Sequence, residues 1–528
     1  MKSKLIVNIF KNTNFIIFIL FGILSYLLFY NLGEYDQPTA NLWINRSYKF
    51  FYEVKTKNFD QTYLFYHPGV TLMWLVGPVV YYFPKYTMYL YNQTIDPFDA
   101  KVFYEFNKLA LIPIVTTVFA TIILNLFIIK KLFSKNIALI FLLLVISEPF
   151  FIGNARSIHV DTLQTVFIFT TFLTSLYYLQ SKNKLYLLLS GLFLGLSILT
   201  KITTVIIVPY LGLLYLTNYL SFKQINKSIL KTTLNFLAII LICSTLFFAL
   251  WPIMWTQPIQ TLQKIYQDGI AESGFEHNLG YNYIYFTSIS NDSIITKVIH
   301  YPLQFIFRTN GFLIILSLIS LTYLLKLKNN IFIKKNKILI LCALFPLYYL
   351  VLMSTSGKMI FRYLLIIYPF FHLFLALSIN KLLKTRFRII IIALLLFAII
   401  DSSLSSTNSL TYYNTIVGGI SSSKSTIYTD QAGAGLYNIA DDLNKVENIG
   451  NQSVAVFDNN SFSGFFAGDT LKLKNHNYTN NKVNTDFVII GVQNDNKYFD
   501  TNRKDYKLIK QYKYRGQTHW DLYKKVTN

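Results

Sequence analysis

Long apolar runs recur along the chain and alternate with short polar segments. A helix that crosses a bilayer needs about 20 apolar residues, so each uninterrupted run of about 15 to 22 residues is read as one span. The first run follows three lysines, as in a secretory signal, but no small-residue cleavage site follows it, which favours a retained span. The pattern predicts an all-α polytopic membrane protein with about eleven transmembrane helices, near residues 14–30, 108–129, 136–152, 160–180, 185–199, 202–220, 232–251, 310–325, 338–354, 360–379 and 388–401.

Lysine and arginine concentrate in the short loops between these runs. With the three N-terminal lysines, five acid-free loops hold 20 of the 48 Lys and Arg residues. Cytoplasmic loops are enriched in these residues, so we expect a multi-pass plasma (inner) membrane protein whose N-terminus and five loops are cytoplasmic. The net charge of +23 is therefore topological, and no nucleic-acid partner is expected. The five loops carry Lys130, Lys131, Lys135, Lys182, Lys184, Lys223, Lys227, Lys231, Lys326, Lys328, Lys334, Lys335, Lys337, Lys381, Lys384, Arg386 and Arg388.

The same alternation places three long segments on the outer side of the membrane. Residues 31–107 and 252–309 are predicted to be large outer loops of a membrane domain that covers residues 1–401. After Asp401, Ser, Asn, Asp and Gly become frequent and long apolar runs stop. Short runs at 454–457 and 487–490 are typical of strands. Residues 402–528 are therefore predicted to form a small extracytoplasmic α/β domain.

Charged residues gather at the predicted outer ends of the spans. An ionisable group at the membrane edge is costly unless it is paired or functional. No comparable set lies on the inner side, where the loops carry cations alone. This convergence favours a functional site on the outer face, built from Glu34, Asp36, Glu148, Arg156, Asp161, Lys201, Arg308, Lys358 and Arg362.

Most of these residues have a structural alternative. Arg156 and Asp161 would pair with each other at a helix start, and Lys201 would snorkel from a span end. Lys358 and Arg362 would be ordinary anchors beside a helix. Two outer histidines would be hydrogen-bonded loop side chains, namely His67 and His277.

Cations around a carboxylate at an outer membrane face suit sugar transfer from a lipid-linked phosphosugar. Arginine and lysine would hold the phosphodiester and stabilise the charge left on the departing lipid phosphate. A phosphate leaves without a strong general acid, so one carboxylate is enough. It would act as the general base on the acceptor while the acceptor attacks the anomeric carbon, and a single displacement inverts configuration.

A series of motifs has the order of a known family. The series comprises an acidic motif at 33–36, a His-Pro element at 66–71, an Arg-and-Asp segment at 156–161, a glycine-patterned hairpin at 190–201, loop borders at 251–255 and 301–309, a basic stretch at 358–363, and a domain start at 414–436. With these motifs the chain resembles the GT-C glycosyltransferases. It is similar to the bacterial and archaeal relatives of the protein O-mannosyltransferases (dolichyl-phosphate-mannose-protein mannosyltransferases) and of the lipid A aminoarabinose transferase, over nearly its whole length.

The resemblance implies roles for individual residues. Asp36 is expected to be the catalytic base, with Glu34 as the alternative, because many relatives have adjacent Asp-Glu whereas Tyr35 separates the two acids here. The residues expected at the donor phosphate are Arg156, Lys201, Lys358, Arg362 and Arg308. Those expected to position substrates are His67, Asp161, Glu276, His277 and Tyr363.

The resulting hypothesis is inverting transfer of a mannose-type or related sugar from a polyprenyl-phosphate donor to an acceptor on the outer face. The acceptor stays open among a protein, a lipid headgroup and a glycan. Relatives differ in whether a divalent metal assists, and with no clustered ligand spacing here the sequence assigns none. Two rivals remain. A transporter or flippase predicts charged residues or broken helices near the bilayer midplane, together with inverted repeats, and the sequence shows neither because its charges cluster at span ends. An envelope scaffold predicts outer loops that tolerate loss of charge.

Overall fold

The computed structural model describes residues 13–34, 40–221, 229–274, 294–326, 337–355, 359–427, 433–456, 459–473, 484–491 and 503–526. Helices dominate up to residue 404, and a small sheet follows near the C-terminus. This confirms the predicted class of a largely helical chain with a small C-terminal α/β unit. The domain limits 1–401 and 402–528 stay a prediction.

Seventeen α-helices lie between residues 13 and 404 in the described ranges. They are α1 Thr13–Phe29, α2 Ala40–Lys55, α3 Val70–Tyr91, α4 Phe103–Leu132, α5 Lys135–Ile146, α6 Pro149–Ala155, α7 Val160–Ser181, α8 Lys184–Thr200, α9 Ile207–Ser221, α10 Ile229–Leu250, α11 Ile253–Thr256, α12 Pro258–Gly274, α13 Ile294–Arg308, α14 Gly311–Lys326, α15 Lys337–Ser354, α16 Tyr368–Leu382 and α17 Arg388–Leu404. Short 3₁₀ segments include Ile202–Ile206 before α9 and Phe361–Ile367 before α16.

The predicted count of eleven spans is not confirmed. Among the described residues, four helical stretches are long and apolar enough to cross a membrane: Phe103–Leu132, Val160–Ser181, Ile229–Leu250 and Phe361–Leu382. Two bent pairs raise the number to six if each pair is one span. Other predicted spans correspond to shorter apolar helices, such as Lys184–Thr200. The described residues therefore contain fewer single helices of span length than the apolar runs predict.

Helix α7 lies at the centre of the helical part. In its most apolar stretch 94% of the residues are buried, compared with 17% for α10, which leaves most of α10 facing outward. Helix α7 packs against α4 and α8. Its first turn carries Asp161, so the central helix presents a carboxylate at one end.

Two helix breaks bring buried polar groups together. The axes of α5 and α6 differ by 75°, and those of α13 and α14 by 115°. Ser147 and Glu148 separate the first pair, and Asn310 lies in the second break. The predicted span 136–152 is thus bent at these two residues. The sequence did not predict the bend, because two polar residues hardly lower the hydropathy of a long apolar run.

Asn310 connects these breaks through four hydrogen bonds. Its Nδ2 donates to the carbonyls of Ser147 at 2.9 Å and Ala398 at 3.0 Å. Its Oδ1 accepts the N–H of Phe312 at 3.1 Å, and its own N–H donates to Oε2 of Glu148 at 3.3 Å. Asn310 thus joins α5, α14 and α17, and it supplies a donor to the Ser147 carbonyl at the end of α5.

Replacement of Asn310 by alanine is expected to destabilise the protein by about 2 to 3 kcal/mol, because buried carbonyl groups lose their donors. Thermal unfolding in nanodiscs measures the loss. Asn451→Ala, at an exposed position, is the matched control and should leave the melting temperature unchanged. Equal melting temperatures for both variants would contradict the role assigned to Asn310.

The C-terminal unit contains a five-stranded mixed sheet in the order β2-β1-β3-β5-β4. Strand β1 pairs in parallel with β2 and β3, whereas β5 pairs antiparallel with β3 and β4. Buried apolar side chains cover the central strands, and β3 is buried throughout. The elements are α18 Gly419–Ser423, α19 Leu436–Leu443, β1 Ser453–Val456, α20 Asn459–Phe462, β2 Asp469–Lys472, β3 Phe487–Gly491, β4 Tyr506–Tyr514 and β5 Gln517–Lys525.

The β4–β5 hairpin is joined to the end of α17. Asp401 accepts hydrogen bonds from Arg515 at 2.7 Å, Tyr412 at 2.7 Å and Thr415 at 2.9 Å. The hydroxyl of Tyr514 also donates to the carbonyl of Leu404 at 2.7 Å. A buried carboxylate with three partners holds the sheet on the helical part in one orientation.

Candidate functional site

Asp161 is the centre of a buried cluster of charged side chains. The Nζ of Lys201 donates to its Oδ1 at 2.8 Å, and the Nδ1 of His159 lies 3.0 Å from its Oδ2. The Nε of Arg362 lies 3.8 Å from the same Oδ2. The structure thus brings together three residues that were predicted from separate segments, and it adds His159.

Sequence reasoning missed His159. It caps the first turn of α7, where its ring accepts the N–H of Asp161 at 3.3 Å. The available signal was its spacing, two residues before the acid and directly before the helix.

Local contacts hold the lysine and the arginine in place. Gln164 of α7 donates to the hydroxyls of Thr203 and Thr204, both at 3.0 Å, which attaches the turn after Lys201 to the central helix. The Nζ of Lys201 also lies 4.0 Å from the ring centroid of Tyr363. Tyr363 follows Arg362 in the 3₁₀ segment, so consecutive residues contact Asp161 and its lysine.

Arg308 has a different environment from the one predicted. It is fully buried, and its guanidinium lies 3.8 Å from the ring centroid of Phe361 and 4.5 Å from that of Tyr413. It also donates to the Tyr413 hydroxyl at 2.6 Å and to Gln304 at 3.3 Å. Through these contacts Arg308 fixes the segment that begins with Phe361, and its predicted contact with a lipid phosphate stays a prediction.

The His-Pro element of the first outer loop docks beside Lys201. The N–H of Gly69 donates to the carbonyl of Thr200 at 3.1 Å, and the hydroxyl of Thr71 donates to the carbonyl of Leu196 at 3.1 Å. His67 is thus close to Lys201, because Gly69 lies two residues after His67 and bonds to Thr200, the residue before Lys201. The predicted proximity of this element to the basic site has a direct structural cause.

The backbone conformation and the packing at position 69 both require glycine. Its φ is +62°, and a Cβ at this position would lie 2.2 Å from the indole ring of Trp43. The same indole makes an edge contact with His159, with the ring centroids 6.1 Å apart. Trp43 of α2 thus connects the loop to the cluster around Asp161.

We expect Gly69→Ala to destabilise the protein by about 2 to 3 kcal/mol, since the new side chain adds left-handed strain to overpacking. Binding to the site should weaken with it, because Trp43 has to move. Gly22→Ala is the matched control, since no atom lies within 4 Å of its added Cβ and its φ is ordinary. Thermal unfolding of the two variants tests this, and a Gly69→Ala protein as stable as the control would refute the packing argument.

Glu34 and Arg156 are close enough for their charges to interact. Burial raises the pKa of Glu34, and the positive charge of Arg156 opposes that rise. Arg156 is 2% exposed and donates to the carbonyls of Tyr30, Asn31 and Ser406. Its guanidinium therefore holds the chain that enters the first outer loop, and its predicted contact with the donor phosphate stays a prediction.

Four predicted site residues lie outside the described residues: Asp36, Lys358, Glu276 and His277. Their roles stay predictions. In the described ranges no group of three or more His, Cys, Asp or Glu side chains is placed to hold a metal ion.

In the described ranges, the cluster around Asp161 contains two basic side chains, Lys201 and Arg362, around one carboxylate. The side chain of Arg362 is 16% exposed, compared with 4% for Lys201 and 5% for Asp161. Arg362 is therefore the most accessible cation of the cluster, and a guanidinium is well suited to bind a phosphate.

Residues 100–253, which include Arg156, Asp161 and Lys201, match the family model described as dolichyl-phosphate-mannose-protein mannosyltransferase. This confirms the resemblance over that segment. The comparison with curated protein sequences gives no significant match.

Three similar solved structures are distant in sequence. ArnT from Cupriavidus metallidurans gives a TM-score of 0.46 at 9% identity, covering 97% of this chain and 98% of that chain, in the apo state and equally when bound to undecaprenyl phosphate. The apo oligosaccharyltransferase from Archaeoglobus fulgidus gives 0.42 at 13% identity, covering 87% of this chain and 64% of that chain.

Proposed function

We propose that this protein is a membrane glycosyltransferase that transfers a sugar from a polyprenyl-phosphate donor to an acceptor nucleophile, with inversion at the anomeric carbon. The carrying observation is the cluster of Asp161, Lys201 and Arg362 beside the docked His-Pro element, in which one carboxylate holds an arginine and a lysine side by side. Arginine and lysine are the side chains that bind a phosphodiester. The family match over residues 100–253 supports a lipid-phosphate mannose as the first donor to try.

Each residue of the site has a distinct proposed role. Arg362 and Lys201 contact the donor phosphate and stabilise the charge that develops on it as the glycosidic bond breaks. Asp161 holds both cations in place, and His159 holds Asp161. Asp36 takes the proton from the acceptor hydroxyl as that oxygen attacks, and the departing polyprenyl phosphate needs no proton from a side chain.

The reaction is proposed to take place on the outer side of the membrane. The acid-free basic loops support this orientation, because they place the N-terminus in the cytoplasm. Asp161 opens α7, and Lys201 follows α8, so both lie at the ends of those helices opposite the basic 182–184 loop. A lipid carrier with its phosphate at that surface would reach the cluster without crossing the bilayer core.

Release of polyprenyl phosphate tests this function. The protein in nanodiscs is incubated with polyprenyl-phosphate mannose and an envelope extract as the acceptor source, and the lipid products are separated. The proposal expects release that requires both the protein and the extract. An intact donor after prolonged incubation, with other polyprenyl-phosphate sugars equally unreacted, would contradict it.

Transport of a lipid-linked sugar is the second candidate, and the two bent helix pairs favour it. Broken helices occur in transporters, where they form substrate sites. A transporter moves the donor between leaflets and leaves it intact. Accessibility of a labelled donor in proteoliposomes therefore separates the candidates, since movement without cleavage would favour transport.

A further inference from the structure

A cavity of about 270 Å³ lies where the β4–β5 hairpin meets the helical part. Its lining includes Tyr412, Tyr413, Tyr514, Arg515, Gln517 and His519. Small-molecule sites usually range from about 300 to 1,000 Å³. The cavity is therefore close to the lower limit and suits one small ring better than a length of polypeptide.

The lining is close to electrically neutral. Its cation, Arg515, is paired with Asp401, with Nη1 lying 2.7 Å from Oδ1. Burial lowers the pKa of His519 to about 4, so this side chain is uncharged at neutral pH. A phosphate or carboxylate would need a cation that is not already neutralised. A neutral ligand that forms hydrogen bonds fits the cavity better.

The cavity wall offers oriented polar groups and aromatic rings. The hydroxyls of Tyr412 and Tyr514 donate to Asp401 and to the Leu404 carbonyl, which orients both phenols. Gln517 donates to the Gly418 carbonyl at 3.1 Å and accepts the N–H of Ser421 at 3.3 Å. The wall is thus organised before any ligand arrives. Hydroxyl groups combined with an apolar ring face are the complement of these groups, and carbohydrates have both.

A short chain of contacts links the cavity to the cluster around Asp161. Tyr413 lines the cavity and accepts a hydrogen bond from Arg308 at 2.6 Å. The guanidinium of Arg308 stacks on Phe361 at 3.8 Å, and Phe361 precedes Arg362. Arg308 therefore connects the wall of the cavity to the segment that carries Arg362, the proposed phosphate-binding residue.

We propose that this cavity binds a neutral sugar ring of the acceptor, which makes the acceptor a carbohydrate-bearing molecule such as a glycan or glycolipid. This inference rests on the proposed function, because it treats the ligand as the acceptor of the transferred sugar. The acceptor ring is held between the hairpin and the helical part, with its nucleophilic hydroxyl directed to the donor site.

Saturation-transfer NMR on the full chain in nanodiscs tests the cavity, with methyl α-mannopyranoside and methyl β-glucopyranoside as probes. Loss of one hydrogen bond or ring contact should weaken glycoside binding about three- to tenfold in Tyr514→Ala and Gln517→Ala. Lys513→Ala, an exposed neighbour on β4, should retain the wild-type signal. Circular dichroism verifies that every variant is folded.

Identical signals in all variants would overturn the cavity proposal. A wild-type protein that is stabilised by polyprenyl phosphate but shows no transfer to any glycoside would overturn it too, and would leave the proposed function standing. A glycoside signal that requires Tyr514 and Gln517 supports the sugar site. If that protein ignored every lipid phosphate, the failure would belong to the proposed function.

Discussion

Lys201→Met is expected to abolish most sugar transfer and to destabilise the protein by about 3 kcal/mol. Removal of one partner from a buried ion pair leaves an uncompensated charge, and such losses are typically about 3 to 5 kcal/mol. Here Arg362 and His159 still contact Asp161 at 3.8 and 3.0 Å, so the low end of that range applies. Loss of a group that stabilises developing charge should slow transfer by about 10²- to 10³-fold. Thermal unfolding and polyprenyl phosphate release measure the two effects, with the exposed Lys513→Met as the matched control.

The double variant Asp161→Asn with Lys201→Met separates structure from chemistry. It removes both charges, so no unpaired carboxylate remains and most of the lost stability should return. Transfer should stay low, because the lysine that contacts the donor phosphate is still absent. A double variant that regained both stability and transfer would reduce the pair to a structural ion pair.

Asp36→Asn is expected to have the largest effect on rate. Removal of a general base typically slows a reaction by about 10²- to 10⁴-fold, whereas asparagine keeps the size of the side chain. Donor binding should persist, since the cations that hold the phosphate are unchanged. The release assay and donor-induced stabilisation, measured on one preparation, test both statements.

Glu34→Gln is the control for that assignment. Glu34 lies in the same motif, and the positive charge of Arg156 acts on it. If Asp36 is the base, Glu34→Gln should retain at least a tenth of the wild-type rate. An inactive Glu34→Gln protein beside an active Asp36→Asn protein would move the base to Glu34.

The charged cluster was largely predictable, because charge at the end of an apolar run reports depth in the membrane. Asp161, Lys201 and Arg362 are far apart in sequence, but each follows or precedes an apolar run on the predicted outer side. Side chains at the same depth around a helical bundle have a good chance of meeting. Tyr363 was predicted as part of the site because it is the residue directly after Arg362.

The directions of the side chains were not predictable in the same way. Arg308 and Arg156 lie at the expected ends of helices, yet one packs between aromatic rings and the other binds carbonyls. Depth does not specify which way a side chain points around the helix. The break at Asn310 could not be predicted for a related reason. The side chain of Asn310 bonds to residues that are 88 and 163 positions away in the sequence.

The central claim, that a lipid-linked phosphosugar binds at the cluster around Asp161, is tested most directly by ligand-induced thermal stabilisation. The purified protein in nanodiscs is heated with polyprenyl-phosphate sugars, free polyprenyl phosphate or nucleotide sugars. A ligand at about 100 times its Kd stabilises the native state by about 2.7 kcal/mol. The account predicts stabilisation by at least one polyprenyl-phosphate sugar, none by nucleotide sugars, and loss of the effect in Arg362→Gln. A folded protein that responds to no lipid phosphate, or an Arg362→Gln variant that responds as the wild type does, would contradict it.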